Sequence, residues 1–264
     1  MLLDYALQSN EQVQAQSPIV TKMIQCMPHL IMSARCFATD PNLENLLDDE
    51  VYSELIVQLI DTLCISSGER KFHDTFIGEM KNIIVQICYN LIKFTRSEAS
   101  RMVDDPQEYI NFSLDCCDKQ QSMVPKTQAC KLVESMCDNI DGSVTFITNF
   151  TCSALNLALQ GQSAEIIDPS IEQWQQESFF QSDRVLIADA CMIVLTLMSY
   201  ILPQRKDLIG TFERVISANV SAFLTPRPYN QPDMDEFENS KAILLKNRFS
   251  LLLGYYADIL FTKN

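Results

Sequence analysis

The chain is predicted to be all-α, a right-handed α-solenoid built from antiparallel helix pairs, and three observations carry that prediction. Apolar residues recur at three- and four-residue intervals through most of the 264 positions, the period of an α-helix with one buried face. No segment shows the alternation of a strand, and six glycines are too few for a glycine-rich β-sandwich or a nucleotide-binding α/β enzyme. The breaks between periodic stretches are mostly short and carry turn chemistry, as in Asp40-Pro41-Asn42, Ser66-Ser67-Gly68, Asp104-Asp105-Pro106 and Leu202-Pro203.

The elements follow in order. Ser17–Ala38 opens with Ser17-Pro18, an N-cap followed by proline in the first turn. Val51–Ile65 carries Leu55, Ile56, Leu59, Ile60 and Leu63 on one stripe. His73–Thr95 repeats the pattern from Phe76 to Ile92. Pro106–Cys117 comes next. Pro125–Ile140 begins with a proline, whose missing N–H has no intrahelical partner there. Asp141-Gly142 closes that helix, with glycine free to turn left-handed. Ser143–Leu159, Asp183–Leu202, Asp207–Leu224 and Asn239–Thr262 complete the set. Two connections are long: 160–182, polar around the only tryptophan, Trp174, and 225–238, proline-rich and then acidic.

These helices group as Val51–Ile65 with His73–Thr95, Pro106–Cys117 with Pro125–Ile140, Ser143–Leu159 with Asp183–Leu202, and Asp207–Leu224 with Asn239–Thr262. A helix pair recurring every ~40–50 residues is the HEAT/armadillo period. Such a pair cannot bury its apolar face alone, so neighbours stack into one array over residues 1–264. A single irregular helical bundle is the alternative.

An apolar fraction of 47% in a chain this long supports a sizeable core, and 20% charged residues argue against disorder. The net charge of −14 repels phosphate and favours basic partners, so direct nucleic-acid binding is not expected. Val185–Leu202 is the longest apolar stretch. Asp189 and several hydroxyl residues interrupt it, which reads as a buried helix and not a membrane span. There is no secretory pattern at the N-terminus. Cys26, Cys64, Cys88, Cys130, Cys137, Cys152 and Cys191 fall on apolar stripes as small hydrophobes, and all ten cysteines are expected to be reduced thiols.

The chemistry of an enzyme is not visible, and none is expected. His29 and His73 lack a second ligand at helical spacing, Cys116-Cys117 is neither a redox pair nor a zinc knuckle, and no phosphate-cradling glycine loop occurs. No cofactor or metal is expected. Acidic clusters lie at Asp48-Asp49-Glu50, Asp104-Asp105 and Asp233–Glu238. The last lacks the glycine and the final glutamate of a calcium loop. Its carboxylates Asp233, Asp235, Glu236 and Glu238, with Met234 and Phe237 among them, combine negative field with apolar anchors. That suits a flexible Lys/Arg-rich partner segment, and a solvated inter-helix linker is the competing reading.

Four segments resemble the importin-β superfamily of nuclear transport receptors, the karyopherins. Asp104-Asp105-Pro106-Gln107-Glu108-Tyr109-Ile110 looks like the acidic D-P-x-E-Y-I string opening a central HEAT repeat. Thr127–Cys137 through Gly142-Ser143-Val144-Thr145 is similar to the next helix pair, nearest to the exportin that recycles importin-α. Asp183–Tyr200, with Ile187-Ala188-Asp189-Ala190-Cys191, resembles the helix that follows. Leu244–Leu260, with Leu245-Lys246-Asn247-Arg248 and Leu252-Leu253-Gly254-Tyr255-Tyr256, resembles the R-x-x-W-L-L-G helix of importin-like members, without its tryptophan. Order and spacing agree from about residue 104 onward. The resemblance implies a piece from the middle of a longer non-catalytic receptor of the cytoplasm and nucleus. It implies an acidic face that binds basic cargo or importin-α, a curvature that responds to RanGTP, and contact with nucleoporins. Another HEAT-repeat scaffold for complex assembly is the alternative.

Overall fold

The computed structural model describes residues 18–105, 124–161, 165–174, 180–224 and 236–261. Every regular element among them is helical. Besides three short 3-10 turns at Arg70–Phe72, Met198–Tyr200 and Leu202–Gln204, these are in chain order α1 (Pro18–Ala38), α2 (Leu43–Asp48), α3 (Glu50–Ser67), α4, α5 (Arg96–Asp104), α6 (Pro125–Asn139), α7 (Ser143–Gln160), α8 (Ile171–Trp174), α9 (Arg184–Leu197), α10 (Lys206–Leu224), α11 (Glu236–Tyr255) and α12 (Ala257–Phe261). Helix α4 covers 73–92 as three continuous pieces: α-helical His73–Lys81, π-helical Asn82–Cys88 and α-helical Tyr89–Ile92. The predicted helix Pro106–Cys117 lies outside the described residues.

Local chemistry sets many of the boundaries. Asp49 caps α3 by accepting from the backbone N–H groups of Val51 and Tyr52, so part of the acidic triplet is structural. Thr95 caps α5 and Glu98 reaches back to the Thr95 N–H, a full capping box. This ends the predicted His73–Thr95 helix at Ile92 and starts a helix the apolar period does not show. Pro125 occupies the first turn of α6, and Gly142 adopts φ 80° between α6 and α7, as expected. Asp183 caps α9 through the Val185 N–H.

The long connection after α7 is pinned rather than loose over its described part. Ser153 Oγ accepts from the N–H groups of Ile167 and Asp168, and Asn156 donates to the Glu165 carbonyl. Ile171 of α8 is wholly buried.

Packing shows a regular ladder. Helix α3 lies on α6, α7 lies on both α9 and α10, and α9 lies on α11. Asp183, Asp189 and Leu195 of the α9 segment bond Lys241, Arg248 and Tyr256 of the α11 segment. Both sets of numbers rise together by six to eight per rung, about 10 Å of helix each way, so the two helices run parallel. The same holds for α7 and α10, where Thr145 meets Arg205 and Asn156 meets Asn219. It holds again for α3 and α6, through Cys64 with Gln128 and Ser67 with Ser135. Across these rungs the sequence separation stays between 58 and 68 residues.

Two differences from the sequence reading follow. The helices that pack in parallel are bonded at a separation nearer 60 residues than 40–50. The helix most closely packed on α3 is α6, not α4, and the one on α11 is α9, not α10. A continuous core runs from Met27 of α1 to Tyr256 at the end of α11. Helix α9 is buried on nearly every side, as its apolar run predicts. None of the described helices is long and apolar enough to cross a membrane.

Candidate functional site

Of the acidic segment expected to bind a basic partner, Asp233 and Asp235 lie outside the described residues. Glu236 begins α11, and Phe237 and Glu238 sit in its first turn, not in a loop as expected. Tertiary contacts hold that turn. Phe237 stacks on Phe94 with centroids 5.9 Å apart and planes 8° from parallel. The Arg96 guanidinium lies 4.8 Å from the Phe237 ring centre and the Lys241 ammonium 5.2 Å. Glu238 is exposed but bonded to Lys241 at 2.6 Å, and Lys241 also meets Asp183 at 2.8 Å. Burial works against the charge of Lys241, yet the two carboxylates more than offset it and raise its pKa. Phe237 is thus an internal anchor joining α11 to the turn before α5, and Glu238 is engaged within the fold.

Deeper in the same helix, Arg248 Nε donates to Asp189 Oδ1 at 2.8 Å, with exposures of 5% and 0%. The second carboxylate oxygen of Asp189 has no hydrogen-bond partner among the described residues. A second buried pair, Lys126 with Glu98 at 2.6 Å, ties α6 to the capping box of α5.

Most of the expected core thiols are where the stripes put them. Cys88, Cys130, Cys137, Cys152 and Cys191 are buried and free, and Cys64 is half-buried. Burial pushes the thiols of Cys64, Cys137 and Cys152 up to about 12, which leaves them protonated and unreactive. Cys26 is the exception: it is exposed among the described residues. No group of three His, Cys, Asp or Glu side chains among the described residues could hold a metal ion.

One concavity among the described residues was not foreseen in the sequence. It is a cleft of about 550 Å³ where three inter-helix turns meet, at 39–42, 93–95 and 181–183. A second hollow of about 270 Å³ continues it along α2 to Lys126, sharing Glu44, Asn45, Leu47 and Thr95. Lys93 ends α4 and projects its ammonium to within 3.2 Å of Ser182 Oγ. Burial lowers its pKa, with Glu44 acting in the opposite direction. The sequence signal for this cleft is the turn chemistry of its three sides. Their convergence depends on packing.

No protein-family model, no curated protein and no solved structure matches the chain.

Proposed function

We propose that this chain is a segment of an importin-β-like nuclear transport receptor. It acts without catalysis, as a HEAT-type array that binds basic cargo or importin-α and changes curvature when RanGTP binds. The observation that carries the reading is the joining of two karyopherin-like segments in one layer contact. Asp189 of Ile187-Ala188-Asp189-Ala190-Cys191 forms its buried ion pair with Arg248 of Leu245-Lys246-Asn247-Arg248. Parallel stacking at a steady interval supports it further, since an array of this kind bends by small rotations between layers. The net charge of −14 suits basic partners through steering and complementarity.

The test is a pulldown with the full chain as bait against Ran loaded with GTP or GDP, with and without a Lys/Arg-rich cargo peptide. The reading expects GTP-dependent capture of Ran or a RanGTP-dependent change in cargo retention. Equal, negligible retention of both Ran forms, together with no affinity for the basic peptide, refutes it in favour of a scaffold of another complex.

A further inference from the structure

The first layer of the ladder, α1 with α3, carries apolar side chains on its outside. Helix α1 packs on α3 and α4, and α3 packs on α1, α2 and α6. Eleven large apolar side chains are exposed among the described residues, and six of them belong to these two helices: Met23, Met32, Val51, Tyr52, Leu55 and Ile65. The described part of the last layer, α10 with α11, exposes only Tyr255 among such side chains. Terminal layers of a helix array keep it soluble with polar outer faces, so an apolar one marks an interaction surface. On α3 the surface is a stripe. Val51, Leu55, Gln58, Thr62 and Ile65 follow at alternating intervals of four and three residues, on the side away from buried Ile56, Ile60 and Leu63. That is the spacing of a seam on which another helix packs. Val51 is 75% exposed and Ile65 66%.

The charges decide what covers it. Helix α1 carries Lys22, His29 and Arg35 and no carboxylate. Helix α3 carries Glu50, Glu54 and Asp61 and no cation. No salt bridge among the described residues uses any of these six. A partner of a single sign would be drawn to one helix and repelled by the other. A second copy turned about a two-fold axis lays each α1 on the other copy's α3, so both contacts are complementary and one patch is used twice. Packing α3 on α3 would instead set carboxylates against carboxylates. We propose that the outer face of α1 and α3 is the interface of a homodimer, with α1 of each copy on α3 of the other. The net charge of −14 repels a second copy at long range, but physiological salt screens exposed charges beyond about 8 Å and leaves the contacts at the interface to act. The inference is independent of the transport reading, and its failure would leave that reading standing.

Light scattering on the full chain as it leaves a sizing column, over a dilution series, tests it. The parent is expected at twice the mass of one chain. Ile65→Glu, at a position exposed in the single chain, should weaken association ~10-fold or more. Lys22→Glu with Arg35→Glu, and separately Glu54→Lys with Asp61→Lys, should each run as a monomer, because each sets like charges facing one another across the axis. An equal mixture of these two variants should regain the doubled mass, since α1 and α3 of one then complement α3 and α1 of the other. A monomeric parent, a mass above two chains, or an Ile65→Glu variant that associates as the parent does would each overturn the proposal. So would charge variants that stay dimeric alone, or a mixture that stays monomeric while both keep the helical circular dichroism of the parent. If either charge variant loses that signal, Ile65→Glu decides alone.

Discussion

Replacing Arg248 with methionine would remove the cation from the contact between α9 and α11 while keeping an apolar stem of similar length. The Asp189 carboxylate would then sit at 0% exposure, having lost its bond to Arg248 Nε and with its other oxygen already unpartnered among the described residues. Breaking a buried pair from one side costs about 3–5 kcal/mol, because the remaining charge is desolvated without compensation. At about 2–4 °C per kcal/mol for a chain of this size, the thermal midpoint should fall by roughly 6–20 °C. Asp189→Leu combined with Arg248→Met removes both charges. The double variant should return to within about 1 kcal/mol of the parent, or exceed it by up to about 4 kcal/mol. Urea unfolding of the parent, both single variants and the double variant closes the cycle. A loss below about 1 kcal/mol for Arg248→Met would refute the reasoning, since it would mean that water or another cation reaches Asp189.

Three further predictions concern separate parts of the fold. Thr95→Ala should cost about 1 kcal/mol by opening the capping box of α5, and an unchanged urea midpoint would show that the helix does not depend on its cap. Leu195→Ala, at a wholly buried position of α9, should cost about 2–5 kcal/mol, with an exposed edge position implied if nothing changes. Lys93 has a lowered folded-state pKa, so the unfolded chain holds its proton more tightly. Stability contributed by this site should therefore rise with pH from the lowered folded value up to the ordinary lysine range. Lys93→Met should abolish that rise and leave the fold at least as stable at neutral pH. A thermal midpoint that falls in Lys93→Met at pH 7 would contradict the sign.

Much of the helical plan was legible because helix formation leaves a local record. The Asp183 cap, Pro125 in the first turn of α6 and left-handed Gly142 follow from single residues and their neighbours. Three short helices escaped notice: α8, a single turn inside the stretch read as a polar connection, and two others for different reasons. Helix α5 has a weak apolar period, yet Thr95-Arg96-Ser97-Glu98 carries the capping-box spacing and could have revealed it. Helix α2 is six residues long and packs beside α3, with no capping hydrogen bond from the side chain of Asn42, so its sequence holds little signal. The π-helical stretch 82–88 is likewise absent from the pattern, since its apolar residues Ile83, Ile84, Ile87 and Cys88 fit an α-helix equally well.

The candidate sites divide along the same line. The acidic segment was conspicuous in the sequence because charge density is a local property. Composition did not reveal that Phe237 is engaged with Phe94, Arg96 and Lys241, because those partners come from a turn about 140 positions earlier and from the next turn of its own helix. Asp189 looked like an interruption in an apolar run, and only the arrival of Arg248, 59 residues later, turned it into a structural contact. Amino-acid order by itself determined the helices, most of their ends and the buried character of α9, since each depends on residues within one or two turns. Tertiary structure alone decided which helices stack in parallel and where three turns converge around Lys93. Those outcomes depend on side chains meeting across 58 or more residues of chain, a separation over which local periodicity carries no information.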